Sequence, residues 1–276
     1  MKALLTCGLI TIFETGLAVA QIGSINSYTL MPRVFNDIPT ANGTYINSYP
    51  AYPGGPGFVS FSEQNVTSAT GFANRDVWYF SNNGGTSPYL FQNGDYFHTS
   101  MNVTIVGNTS GIDLEAGYLF SNPSGGFGGD LQLLMNVNNG VVVQFGGPSY
   151  YPFSPSAGGY PGAGGGVPNY LPGLTYNLSM SYLPDPLTGR NAFQYWVNGQ
   201  QAASSPGNPY FDLAPGASIG SAGDFLGGYF QIQRSTAAGN NGAVIFGDIT
   251  ITSVPEPSFL ALLSFGGLAM ALRRRS

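Results

Sequence analysis

The sequence predicts an all-β fold, a two-sheet antiparallel β-sandwich. Three observations predict it. Apolar residues recur with a period of two along several stretches. Short turn signals rich in Asn and Gly separate those stretches. Between residues 21 and 253 no segment carries the 3.6-residue periodicity of an amphipathic helix.

The clearest alternation is Leu174, Tyr176, Leu178, Met180 and Tyr182 against Thr175, Asn177, Ser179 and Ser181. It describes a strand with one apolar face. Phe193, Tyr195 and Val197 repeat the pattern and run into Asn198-Gly199. A two-residue hairpin turn wants positive φ at both central positions, which Asn-Gly tolerates best. Further strand candidates are Phe58–Phe61, Val77–Phe80, Tyr96–Val106, Ile112–Phe120, Leu131–Val137, Val141–Phe145, Tyr229–Gln233 and Val244–Thr252, with Asn138-Asn139-Gly140 as a second hairpin turn. Roughly ten to fourteen short strands of this kind indicate a sandwich. Two Gly/Pro/Tyr-rich stretches, residues 36–57 and 146–173, interrupt the pattern and read as long loops.

Composition supports a folded body. Charged residues are 8% and aromatics 14%, the reverse of the low-aromatic, high-charge signature of disorder. Residues 21–253 contain no lysine and only Arg33, Arg75, Arg190 and Arg234 as cations. Against eleven acids, that leaves a net charge of −7. Such a surface repels phosphate backbones, so nucleic-acid binding is excluded. The only cysteine is Cys7. Disulfides therefore cannot staple the body, and a sizeable core must hold it.

The two ends read as processing segments. Residues 1–20 begin Met1-Lys2, pass through an apolar stretch and finish Ala18-Val19-Ala20. That is a secretory signal peptide with its helix and an A-x-A site, cut after Ala20, although Glu14 is atypical in such a stretch. It implies passage through the secretion machinery. Residues 254–276 contain Pro255-Glu256-Pro257, an apolar run from Phe259 to Leu272, and Arg273-Arg274-Arg275. The prolines force an extended, donor-poor backbone. The apolar run makes a helix of about 21 Å, short of a full span of about 20 residues. The arginines would hold the last residues in the cytoplasm. In the order of its three parts this tail resembles the PEP-CTERM sorting signal of Gram-negative bacteria. The resemblance implies transient insertion in the inner membrane through the apolar helix. It also implies recognition of Pro255, Glu256 and Pro257 by an exosortase-type membrane protease. Such proteins are associated with extracellular polysaccharide and with biofilm or floc formation.

The body, residues 21–253, also carries a resemblance. Tyr176–Tyr182, Gly189-Arg190, Phe193 to Gln200 and the closing strand Gly247–Thr252 follow one another as strand, loop, strand, tight turn and last strand. This order resembles the second half of a concanavalin-like jelly roll, the fold of laminin-G modules, legume-type lectins and several glucanases. An immunoglobulin-like pair of domains is the alternative.

Catalytic chemistry finds little to work with. His98 is the only histidine and lies within a candidate strand. A nucleophilic triad would rest on it alone, and a satisfied strand histidine is the better reading. Zinc has no His/Cys cluster to bind, and no metal site or cofactor is expected. Asp113 and Glu115 share one strand face by their i, i+2 spacing. They are the best local pair for glycoside hydrolysis, which needs two carboxylates. Concanavalin-like glucanases of one large family carry E-x-D-x-x-E. Gly111 and Ala116 stand where the flanking glutamates would be, so a solvated strand face is favoured. A structural calcium would have to use Asp130, Asp224 or Asp248 with nearby Asn and backbone carbonyls, without any D-x-D-x-D-G loop. Tyr150, Tyr151, Phe153, Tyr160 and Tyr170 either stack on sugar rings or belong to a ligand-free Gly/Pro/Tyr segment. The expectation is an exported surface or matrix protein, structural or associated with exopolysaccharide. A secreted glycan-active hydrolase is the alternative, and inert surface coating a third reading.

Overall fold

A computed structural model describes residues 21–39, 41–48, 57–66, 72–92, 94–107, 114–121, 131–136, 140–144, 150–152, 172–216, 219, 224–233 and 241–254. The leader, with Ala18 and Ala20, and the tail beyond Val254, with Pro255–Pro257 and Arg273–Arg275, lie outside these residues. So do Asp113, Asp130, Phe153, Tyr160 and Tyr170.

After a 3₁₀ turn at Gln21–Ser24, the described chain forms sixteen strands in two antiparallel sheets. The first sheet runs, edge to edge, β1 (Ser27–Asn36), β4 (Ala73–Ser81), β15 (Asp224–Gln233), β7 (Leu114–Ser121), β8 (Leu131–Asn136), β9 (Gly140–Gln144) and β10 (Tyr150–Pro152); β5 (Leu90–Phe91) pairs with β15. The second runs β13 (Gln200–Gln201), β12 (Asn191–Val197), β11 (Thr175–Pro184), β6 (Phe97–Gly107), β16 (Gly242–Ser253), β3 (Gly57–Gln64) and β2 (Asn42–Ser48); β14 (Phe211–Asp212) pairs with β12. Strands from both ends of the chain share each sheet around one inter-sheet core. That is the predicted sandwich, and it is not two consecutive immunoglobulin-like units. Among the described residues no helix is long and apolar enough to cross a membrane.

The period-two reading holds with one adjustment. Leu178, Met180 and Tyr182 are buried, whereas Leu174 is 50% exposed and precedes β11. Phe193, Tyr195 and Val197 of β12 are buried on the same side. The turn after them has φ of 50° at Asn198 and 75° at Gly199, as the hairpin required. It sets Val197 opposite Gln200 and Trp196 opposite Gln201. The loop reading of residues 36–57 is corrected: Asn42–Ser48 form β2, paired in register with β3. Alternation was invisible there because six of the seven β2 residues are exposed, so no apolar face marks the strand. In the 146–173 stretch, Tyr150–Pro152 pair with β9 as β10.

Aromatic rings join the sheets. Trp78 of β4 meets Phe246 of β16 edge-on with centroids 5.9 Å apart, and Phe120 of β7 meets Phe193 of β12 at 5.7 Å. Such pairs contribute about 0.5–1.5 kcal/mol each beyond their area burial. With no disulfide to help, these rings and the aliphatic side chains packed with them form the core that holds the body. Trp78 needs room for its indole. A Cβ on Gly228 would fall 2.5 Å from Trp78 Nε1, so only glycine fits beneath the ring.

A charged network is buried beside β1. Pro32 precedes a bulge in which Arg33 adopts φ 53°, and the β1–β4 register shifts between Met31 and Phe35. The bulge turns Arg33 inward. Its Nε donates to Glu63 Oε1 and its Nη2 to Glu63 Oε2, both at 2.9 Å, and Nη2 also donates to the Ala41 carbonyl. Glu63 accepts further bonds from Tyr45 Oη at 3.1 Å and Asn74 Nδ2 at 3.4 Å. The Arg33 amide donates to Asp76 Oδ1 at 2.8 Å. Asp76 is fully buried. Desolvation pushes its carboxyl up to about 7; the neighbouring Glu63 charge adds to the rise, and the Arg33 amide and guanidinium oppose it.

Candidate functional site

Glu115 is the one described member of the predicted carboxylate pair. Leu114, Ala116, Tyr118 and Phe120 of β7 face the core, so Glu115 projects from the outer face of the first sheet. The register aligns Arg75 of β4, Gln231 of β15 and Glu115 of β7 in a single row, with Asn136 next. Arg75 Nε donates to Gln231 Oε1 at 2.9 Å, and Gln231 Nε2 donates to Glu115 Oε2 at 3.3 Å. Tyr229 Oη donates to the same oxygen at 3.4 Å. The Arg75 guanidinium lies 5.2 Å from the centre of the Tyr229 ring. Beside this row sits a second apolar cluster of Val77, Tyr79, Leu119 and Tyr229, with Val34 and Phe225 against it. Sequence reasoning found Glu115 but missed Arg75 and Gln231. Their only signal is cross-strand register over 116 and 156 residues of separation. Among the described residues the row holds one carboxylate, and its Oε2 accepts from two donors. A glycosidase needs a second carboxylate across a cleft.

The outer face of the second sheet is different. It presents His98, Ser100, Asn102 and Thr104 from β6 opposite Ser181, Ser179, Asn177 and Thr175 from β11. Asn177 Nδ2 donates to Ser100 Oγ and to Asn102 Oδ1, each at 3.0 Å, and Ser179 Oγ donates to Ser100 Oγ at 3.0 Å. Thr104 and Thr175 hydroxyls lie 2.7 Å apart. Trp196, opposite Ser179, continues the row on β12 and remains half-buried, with Gln201 of β13 beyond it. The result is an ordered, nearly uncharged ladder of hydroxyls and amides bordered by an indole. Ser179 and Ser181 are buried, so Ser100, Asn102, Thr104, Thr175 and Asn177 are the groups this face can offer to sugar hydroxyls, beside the half-buried indole.

His98 behaves as a strand histidine. Its Nδ1 lies 2.8 Å from Ser181 Oγ and its ring meets Trp196 edge-on at 5.6 Å. Burial lowers its pKa. Asp248, a calcium candidate, adopts φ 49° at a bulge in β16 and accepts a bond from Asn102 Nδ2 at 2.7 Å. Asp224 begins β15, opposite Phe91. Among the described residues no three His, Cys, Asp or Glu side chains gather as metal ligands. Tyr150 and Tyr151 lie on β10.

Comparison with known proteins separates tail from body. Residues 253–275 match the PEP-CTERM protein-sorting motif. No curated protein matches the chain. Among solved structures, a family 7 alginate lyase A1-II′ is 11% identical, with 71% of this chain and 80% of that one covered and a TM-score of 0.39. The Emp46p carbohydrate recognition domain in its metal-free form is 9% identical, covering 76% and 89%, with a TM-score of 0.37. A structure from work on endo-acting O-glycanases of the human gut microbiota is 10% identical, covering 87% and 97%, with a TM-score of 0.47. At these scores the likenesses carry no argument about activity or ligand. The conclusion rests on the tail: over residues 253–275 the chain carries the PEP-CTERM protein-sorting motif, which implies an exported protein of the cell surface or membrane that is processed by an exosortase.

Proposed function

We propose that this protein is a non-catalytic component of the extracellular matrix of a Gram-negative bacterium, where it associates with exopolysaccharide. After secretion, the tail holds it briefly in the inner membrane until an exosortase-type protease acts at Pro255-Glu256-Pro257. The polar ladder on the outer face of the second sheet is the observation that carries the polysaccharide reading. Its Ser, Thr and Asn groups suit neutral hydroxyls, and Trp196 supplies an apolar edge. The lysine-free body, with its net charge of −7, has no basic patch that would favour a phosphate-bearing partner instead.

Co-sedimentation of the exported, processed protein with exopolysaccharide from its host tests this reading. Retention is expected, with a loss of about tenfold in Trp196→Ala. Equal retention of the variant, or no retention of the parent, would contradict it. Release of reducing ends that disappears in Glu115→Gln would replace it with the hydrolase reading.

A further inference from the structure

The sheet edges are unequally protected. An open strand edge presents unpaired amides and carbonyls to any other strand, and proteins blunt it with prolines, bulges, charges or brevity. Three of the four ends of the described sheets carry such devices. β1 contains Pro32 and the Arg33 bulge. β10 is three residues long and ends in Pro152. The opposite end of the second sheet finishes in β13 and β14, two residues each. The fourth end, β2, has none of them. Asn42-Gly43-Thr44-Tyr45-Ile46-Asn47-Ser48 contains no proline and no charge. Its register against β3 is unbroken from Asn42–Gln64 to Ser48–Phe58. Every residue except Tyr45 is exposed, and Ile46 is 55% exposed. Among the described residues no strand pairs with its outer edge.

The strand is also firmly seated on its inner side. Tyr45 packs edge-on against Phe61 at 5.9 Å and donates to the buried Glu63 at 3.1 Å. β2 is therefore a pre-ordered template whose ladder ends in mid-pattern.

We infer that β2 is a self-association edge: two copies of this chain pair their β2 strands antiparallel and join their second sheets into one continuous sheet. Charge selects a second copy as the partner. Copies with a net charge of −7 repel through much of their surface. The β2 edge carries no charge, so an antiparallel self-pair places no like charges opposite one another. Glu63, the acid opposite Gly43 on β3, is buried and paired with Arg33. A basic peptide would find nothing on the edge to recognise. The pairing extends the Ser/Thr-rich outer face across two molecules without any change in the core. It does not depend on the polysaccharide reading.

Sedimentation velocity of the exported, processed protein over a range of concentrations, without glycan, tests the inference. The parent is expected to shift from monomer to dimer as concentration rises. Ile46→Lys and Ile46→Glu should each raise the concentration of half-association at least tenfold. Opposing residues and their diagonal neighbours across a strand pair lie within reach of these long side chains. An equimolar mixture of the two variants should restore association, which also shows that both are folded. A parent that stays monomeric, variants that associate like the parent, or a mixture that fails to recover would each overturn it.

Discussion

Arg33 reaches from one sheet to the other and grips Glu63 with two parallel hydrogen bonds, Nε to Oε1 and Nη2 to Oε2, each 2.9 Å long. Glu63 has no exposed surface, while Arg33 keeps 20% of its side chain in contact with solvent. Removing one member of a buried pair strands the other's charge, at about 3–5 kcal/mol. Glu63→Gln and Arg33→Met are each expected to lower unfolding stability by about 3 kcal/mol in denaturant titration. The Arg33→Met/Glu63→Gln double variant should lose clearly less than the sum of the single losses. Full additivity would show that the two residues act separately.

Asp76 predicts a pH dependence. Burial is the chief reason that its carboxyl rises from an ordinary 3.8 to about 7 in the folded protein. Between those values the folded state holds a proton that the unfolded state has released. Stability from this group is therefore fully present below about pH 4 and falls as pH rises towards 7, by up to about 1.4 kcal/mol per unit. Asp76→Asn mimics the protonated form. Its stability relative to the parent should climb across that window and level off above it. Parallel curves for the two proteins would refute the assignment.

Gly228 should tolerate no side chain. A Cβ there meets the Trp78 indole nitrogen at 2.5 Å, and the ring is held by Tyr28, Phe80 and Phe246. Gly228→Ala is expected to cost about 1–3 kcal/mol through overpacking. For a body of this size each kcal/mol lowers Tm by roughly 2–4 °C.

Glu256 tests the sorting motif itself. Glu256→Ala interrupts Pro255-Glu256-Pro257 while leaving the apolar run and arginines intact. The variant should accumulate in the membrane fraction with its tail attached. Normal release would show that recognition lies elsewhere in the tail.

Much of the second sheet was legible because its strands bury one face and expose the other. Leu178, Met180 and Tyr182 alternate with small polar residues, and Asn198-Gly199 could hardly form anything but a tight hairpin. β2 was missed for the opposite reason, since nearly all of it is exposed. The Arg33–Glu63–Asp76 network was invisible because its members lie 30 and 43 residues from Arg33, Glu63 across the sandwich on β3 and Asp76 on the neighbouring strand β4. Glu115 was found by spacing, but the row that gives it meaning needs Gln231 from β15 and Arg75 from β4. Local pattern reveals which face a residue takes, whereas strand order decides whom it meets.

Export with a cut at each end of the chain leaves a signature in the mass of the mature protein. Intact mass of the protein recovered from the extracellular fraction of its host measures both cuts together. The expected species begins at Gln21 and ends near Pro255–Pro257, without the apolar run. Cell-free protein that still carries Arg273–Ser276 would contradict it.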